Sequence, residues 1–93
     1  MRPLWTQEQA VAFECAREAI SDLMAICAAA IAREEAAAPD GPRLVELEQE
    51  LAGLARERAE LSVADHDHIA AIRRTYGERV RAYRAQHQGA AAE

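Results

Sequence analysis

Glycine and proline are scarce in this chain, four and three residues in 93, and aromatic residues make up only 4%. Few breakers and few large flat side chains argue against a sheet and for long helices. Long apolar runs are missing too. The longest, residues 23–32, has ten residues, where a bilayer span needs ~20. Residues 1–6 hold no apolar signal core, so no membrane association and a cytoplasmic location are expected. There are two cysteines, Cys15 and Cys27, twelve residues apart on one predicted helix. Such a pair sits ~18 Å apart along the axis, and a disulfide needs Cα atoms within ~7 Å. An intrachain bond is excluded, and reduced thiols fit a cytoplasmic protein. Glycine-rich phosphate loops, serine elbows and paired-cysteine zinc spacings are all absent from the sequence,. No cofactor is expected. A helical hairpin of this size also offers little concave surface, so the chain is not expected to be an enzyme.

Lysine is absent, and all 11 basic residues are arginine. A compositional bias explains this most simply; selection for planar, forked donors is the functional reading. The net charge of -5 is unevenly spread. Residues 1–68 carry six arginines against fourteen acids, whereas residues 69–93 carry five against two. Such asymmetry bears on partners rather than on fold.

What the chain does have is helical spacing on both sides of one strong breaker, Pro39-Asp40-Gly41-Pro42. Thr6 and Gln9 have capping-box spacing at the start of a first helix. Phe13, Ala16, Ile20, Leu23, Cys27 and Ala30 then recur at steps of three and four to about Ala37,. Beyond the breaker, residues 43–61 carry a leucine seam of Leu44, Leu47, Leu51, Leu54 and Leu61, with Arg58 at a seam position. Arg58 is expected to lay its stem along that seam. Glu46, Glu48, Glu50, Glu57 and Glu60 read as solvated outer faces.

The phase changes at Ser62, where Ser62 and Asp65 again have capping spacing. No glycine or proline lies between Gly53 and Gly77, so the spacing favours one continuous or mildly kinked arm. The predicted fold is all-α: an antiparallel helical hairpin over residues 1–88, coiled-coil-like, with a long second arm possibly broken near Ser62, and a disordered tail over 89–93. A bend centred near residue 40 pairs residues whose numbers sum to about 80, setting Leu54 against Cys27, Leu61 against Ile20 and Trp5 against Tyr76. Residues 78–88 are then expected to overhang or to bend at Gly77.

The stretch 24–32 is apolar all the way round, and such a helix is normally covered on more than one side. One opposing helix cannot do that. A homodimer of four-helix type is therefore expected, with Leu23, Ile26, Cys27, Ala30 and Ile31 in its interface.

The basic arm is the candidate for partner binding. Arg73, Arg74, Arg81 and Arg84 project within about 100° of one another, beside a stripe that includes Tyr76, Val80 and Tyr83. These seven residues suit a protein partner held as a helix in a groove; nucleic acid is the alternative. Asp65 and His68, at i, i+3, have metal-chelating spacing, but such a site needs further carboxylates, and Glu14 and Glu18 on the facing arm sit off the first helix's apolar stripe,. His66 and His68 point ~200° apart and cannot share an ion. A polar layer with His68 partly buried near Phe13 is the expectation, and no metal site is assigned. The sequence thus reads as a non-enzymatic, self-associating helical interaction module, a small adaptor or inhibitor. A small nucleic-acid-binding regulator is the alternative, and a metal-binding bundle a weaker third.

Overall fold

In the computed structural model residues 5–91 are described, with side chains through His87. The signal-core reading for residues 1–4 and the disorder expected of residues 92 and 93 lie outside the described residues. Three helices follow one another: α1 Gln7–Ala37, α2 Pro42–Glu60 and α3 His66–Ala91. No strand occurs among the described residues.

Thr6 caps α1 with a complete capping box. Its hydroxyl accepts from the Gln9 N–H at 3.1 Å, and the Gln9 amide oxygen accepts from the Thr6 N–H at 2.8 Å. The helix ends at Ala37, and the Ala38 N–H still donates to the Glu34 carbonyl. Pro42 then opens α2 at its first position, where the missing N–H costs nothing and φ is already helical.

The second break corrects the expectation of a continuous arm. Leu61 takes extended backbone, φ -64° and ψ 131°, and α2 stops. A hydrogen-bonded turn follows in place of a glycine or proline. The Asp65 carboxylate accepts from the Ser62 N–H at 3.1 Å, and the Ser62 hydroxyl accepts from the Ala64 N–H at 3.2 Å. The Asp65 carbonyl then takes the first helical bond of α3, from the Ile69 N–H at 2.8 Å. Serine and aspartate offer the backbone a non-helical alternative, and that suffices to end a helix.

With the chain turned here, α3 runs back alongside α1 in a parallel sense, an up-down-up arrangement. Arg84 meets Asp22 at 3.3 Å. Residues 78–88 therefore neither overhang nor bend at Gly77; α3 passes straight through it, and the backbone stays helical to Ala91. Tyr76 meets α2, not Trp5, and Trp5 is left 43% exposed. Far from the bend α1 and α2 keep the expected register, since Arg58 Nη1 donates to the Ser21 hydroxyl at 3.0 Å and these numbers sum to about 80; nearer the bend Cys27 meets Leu47 rather than the expected Leu54.

The core lies where α1 faces both neighbours. Ala16, Ile20 and Leu23 meet Leu54 from α2, Leu61 from the turn and Ile69, Ile72 and Val80 from α3. Ile20 is the best-buried large side chain, 0% exposed. Cys27, Leu44 and Leu47 extend the buried set towards the bend. The third helix also changes the meaning of the all-round apolar stretch. Leu23 and Cys27 are buried within the single chain, and Ile26 packs partly against the core. Ala25, Ala28, Ala29 and Ala32 form the outward back of α1, and exposed alanine costs a helix nothing. Part of the covering that a second copy was expected to provide thus comes from within the chain.

α1 packs against both α2 and α3, whereas no packed backbone contact joins α2 to α3. The chain is accordingly extended, 55 × 32 × 18 Å, with a Cα radius of gyration of 16.0 Å. A compact domain of this length has a radius near 12 Å. Its accessible surface is 6672 Å², where a folded monomer of this mass exposes about 5,300 Å².

Candidate functional site

The open side between α2 and α3 forms a cleft of about 600 Å³. Leu54, Leu61 and Tyr76 supply its apolar surface, and Glu50, Glu57, Glu60, Asp65, Arg56 and Arg79 supply its charges, with His68 at one end. Counting His68 as neutral, four acids face two arginines.

Three polar bridges span this cleft. Tyr76 donates its hydroxyl to Glu57 Oε1 at 2.8 Å, and His68 Nε2 lies 2.8 Å from Glu57 Oε2. Further along, Arg79 Nη2 donates to Glu50 Oε1 at 2.9 Å, and its guanidinium also lies 5.7 Å from the Tyr76 ring centroid, within cation–π range. Partial burial pushes the Tyr76 phenol above its ordinary pKa, and the hydrogen bond to Glu57 and the Glu57 charge add to that. Each effect disfavours the phenolate.

α2 brings its acids to this side through helical periodicity. Glu46, Glu50, Gly53, Glu57 and Glu60 recur at steps of four and three, so they form one file along α2. Gly53 sits mid-file. A Cβ built on it meets nothing within 4 Å, and no glycine among the described residues has a positive φ. Neither packing nor backbone conformation within the chain requires glycine there.

The residues singled out on the basic arm separate into two groups. Val80 lies in the core, Tyr76 is half-buried at the cleft and Tyr83 is half-buried beside His87, its ring centroid 3.7 Å from the imidazole. Arg84 pairs with Asp22 of α1. Arg73, Arg74 and Arg81 are exposed, with no ion-pair partner among the described residues. The Arg81 guanidinium folds over Gly77, where a Cβ would lie 3.1 Å from Nη1. Alongside this flank, α1 contributes Glu8, Glu18 and Asp22.

Of the residues assigned to a dimer interface, Leu23 and Cys27 are buried in the chain, while Ile26, Ala30 and Ile31 are half-buried. The Cys27 thiol donates to the Leu47 carbonyl at 3.2 Å. Burial first, then the Glu50 charge, raise its pKa, which leaves it a small apolar core residue with a weak donor. Cys15 lines a small hollow between α1 and α3 beside Gly77 and Val80.

Asp65 is engaged by the Ser62 N–H, and His68 is exposed against Glu57, not partly buried near Phe13. Phe13 instead lies under the Arg17 guanidinium, 5.7 Å from the ring centroid to Cζ. Among the described residues, no three His, Cys, Asp or Glu side chains gather to hold a metal ion, and no helix is long and apolar enough to cross a membrane. The cleft itself was hidden from sequence reasoning. Its signal, the file of glutamates interrupted by Gly53, resembles an ordinary solvated face until α3 is placed beside it. No family model, curated protein or solved structure matches the chain.

Proposed function

We propose that the chain is a non-enzymatic helical protein-interaction module, a small adaptor or inhibitor that works by holding another helix. The observation that carries this reading is the open architecture. Only α1 is packed on two sides, and the chain exposes 6672 Å² where about 5,300 Å² is ordinary for its mass. Self-association belongs to the same reading. With Leu23 and Cys27 used inside the chain, it falls to the outward alanines of α1 together with the half-buried Ile31.

Light scattering over a dilution series, paired with capture of binding proteins by the tagged chain, tests the module. A two-chain mass, or a captured partner lost on changing Arg73, Arg74 and Arg81 to glutamine, supports it. A monomer at every concentration that captures nothing overturns it.

The unpaired Arg73, Arg74 and Arg81 favour a second reading, a small nucleic-acid-binding regulator. It requires binding that weakens by roughly one log unit per log unit of salt for each phosphate contacted. The adjacent Glu8, Glu18 and Asp22 oppose it by repelling phosphates. A gel shift at low salt, absent with duplex and single strand alike, would end it.

A further inference from the structure

We infer that the cleft between α2 and α3 is a docking groove for a cationic amphipathic helix of a partner protein. This rests on the interaction-module reading and gives it a second binding surface, separate from the arginine flank of α3, so loss of capture in the Arg73, Arg74 and Arg81 variants bears on the flank and not on the groove. Charge and length lead to the same choice. The groove's charged groups are Glu50, Glu57, Glu60 and Asp65 against Arg56 and Arg79. Within the chain, Arg79 offsets Glu50, but Glu57 is held by a phenol and an imidazole, and Glu60 has no partner among the described residues. Arg56 lies beside Glu57 and one turn from Glu60, so three acids, Glu57, Glu60 and Asp65, against that one arginine leave a negative pole at this end of the groove. The wall from Glu50 to Glu60 runs about 15 Å at 1.5 Å per residue, the length of three helical turns. Lysine or arginine stems on a partner helix could lie over the half-buried Tyr76 ring while their heads reach the glutamates,.

Gly53 gives an independent reason. Glycine in the middle of a helix is destabilising relative to alanine, and nothing inside the chain explains it: the space above its Cα is empty to 4 Å. A bare backbone on the groove wall lets another helix approach closely.

A second copy of this chain fits less well. Its basic flank, with Arg73, Arg74, Arg81 and Arg84, is on the side of α3 turned away from the groove. A copy docking by that flank would leave its own groove open to the next, a head-to-tail contact that does not close. Two grooves meeting face to face would oppose one glutamate file with another.

The test uses the full chain and a fluorescein-labelled amphipathic helix of leucine, lysine and alanine, read by anisotropy, beside a counterpart with glutamate for lysine. The lysine peptide should bind, and the glutamate peptide should bind at least tenfold more weakly. Gly53→Leu should raise Tm, because leucine is the better helix former and the space is free, yet weaken the lysine peptide about tenfold or more. Glu60→Arg should weaken it about tenfold, whereas Glu48→Arg, on the outward face of α2, should change it less than twofold. Unchanged binding by Gly53→Leu, or equal loss in both arginine variants, overturns the groove. If the glutamate peptide binds and Gly53→Leu removes it, a helix-holding module stands and the cationic partner is wrong. If neither peptide binds, the inference falls, and the interaction reading is judged separately on the mass and capture measurements.

Discussion

α1 holds its two neighbours in one way, and those neighbours hold each other in another. Along α1 the contacts are packed apolar side chains from all three helices, with Ile20 wholly enclosed. Between α2 and α3 the contacts are polar bridges across open space, from Tyr76 and His68 to Glu57 and from Arg79 to Glu50. Packed seams remove apolar area from water and so hold the fold. Bridges between partly exposed groups contribute little to stability, because water competes for every member. What they can do is set the spacing of two walls. The part of the molecule that contributes least to the fold's stability is thus the part proposed to receive a partner.

The sharpest way to break this contrast is to hollow out a seam. Ile20→Ala should cost about 2–5 kcal/mol, read as a lower denaturation midpoint with an unchanged slope. A loss under 1 kcal/mol would show that the α1 seams are not what holds the chain together.

Next comes the turn that aims α3. Asp65→Ala removes the side-chain acceptor of the Ser62 N–H and should cost about 1 kcal/mol, lowering Tm by roughly 4–8 °C. Amide exchange should accelerate first over residues 62–69; uniform acceleration throughout the chain would contradict a local role.

Bridge removal should matter less at neutral pH. Tyr76→Phe is expected to cost about 1 kcal/mol or less there. Because the folded Tyr76 phenol has a raised pKa, the native state holds that proton more tightly than the unfolded chain does. This contribution is complete below the unfolded value of 10.0 and disappears as pH rises through the folded value. The wild type should therefore lose stability above pH 10 more steeply than Tyr76→Phe, in urea titrations at several pH values. Parallel decline of the two proteins would remove Tyr76 from the account.

The smallest effect belongs to the surface pair between α3 and α1. Arg84→Gln breaks the contact with Asp22 and should cost no more than about 0.5 kcal/mol, less in high salt. A loss comparable with that of Ile20→Ala would mean that ion pairs, not packing, fasten α3.

How much of this was legible differs from element to element. Thr6 and Gln9 announced the start of α1 because a capping box is a local exchange of two hydrogen bonds, and the bond pattern matches,. Pro39, Gly41 and Pro42 announced the bend because their constraint lies in their own covalent structure. The break at Ser62 and Asp65 was misread because its hydrogen bonds compete with helix only marginally; docking of Ile69, Ile72 and Val80 on α1 decides the outcome, and that is tertiary. The placement of α3 then displaced several readings together. Leu23 and Cys27 became core, Val80 left the exposed arm, and Tyr76 turned towards Glu57. The groove was illegible for the same reason, since its two walls come from helices that share no packed seam.

The parallel run of α3 beside α1 has a consequence for the order in which the molecule assembles. α1 and α2 meet across a short bend, whereas Arg84 finds Asp22 across 62 residues of chain. Near contacts close quickly and distant ones later, so the hairpin can form before α3 docks. Until it does, Ala16, Ile20 and Leu23 lack the cover of Ile69, Ile72 and Val80, and a hairpin formed first would offer that uncovered seam to other incompletely folded chains.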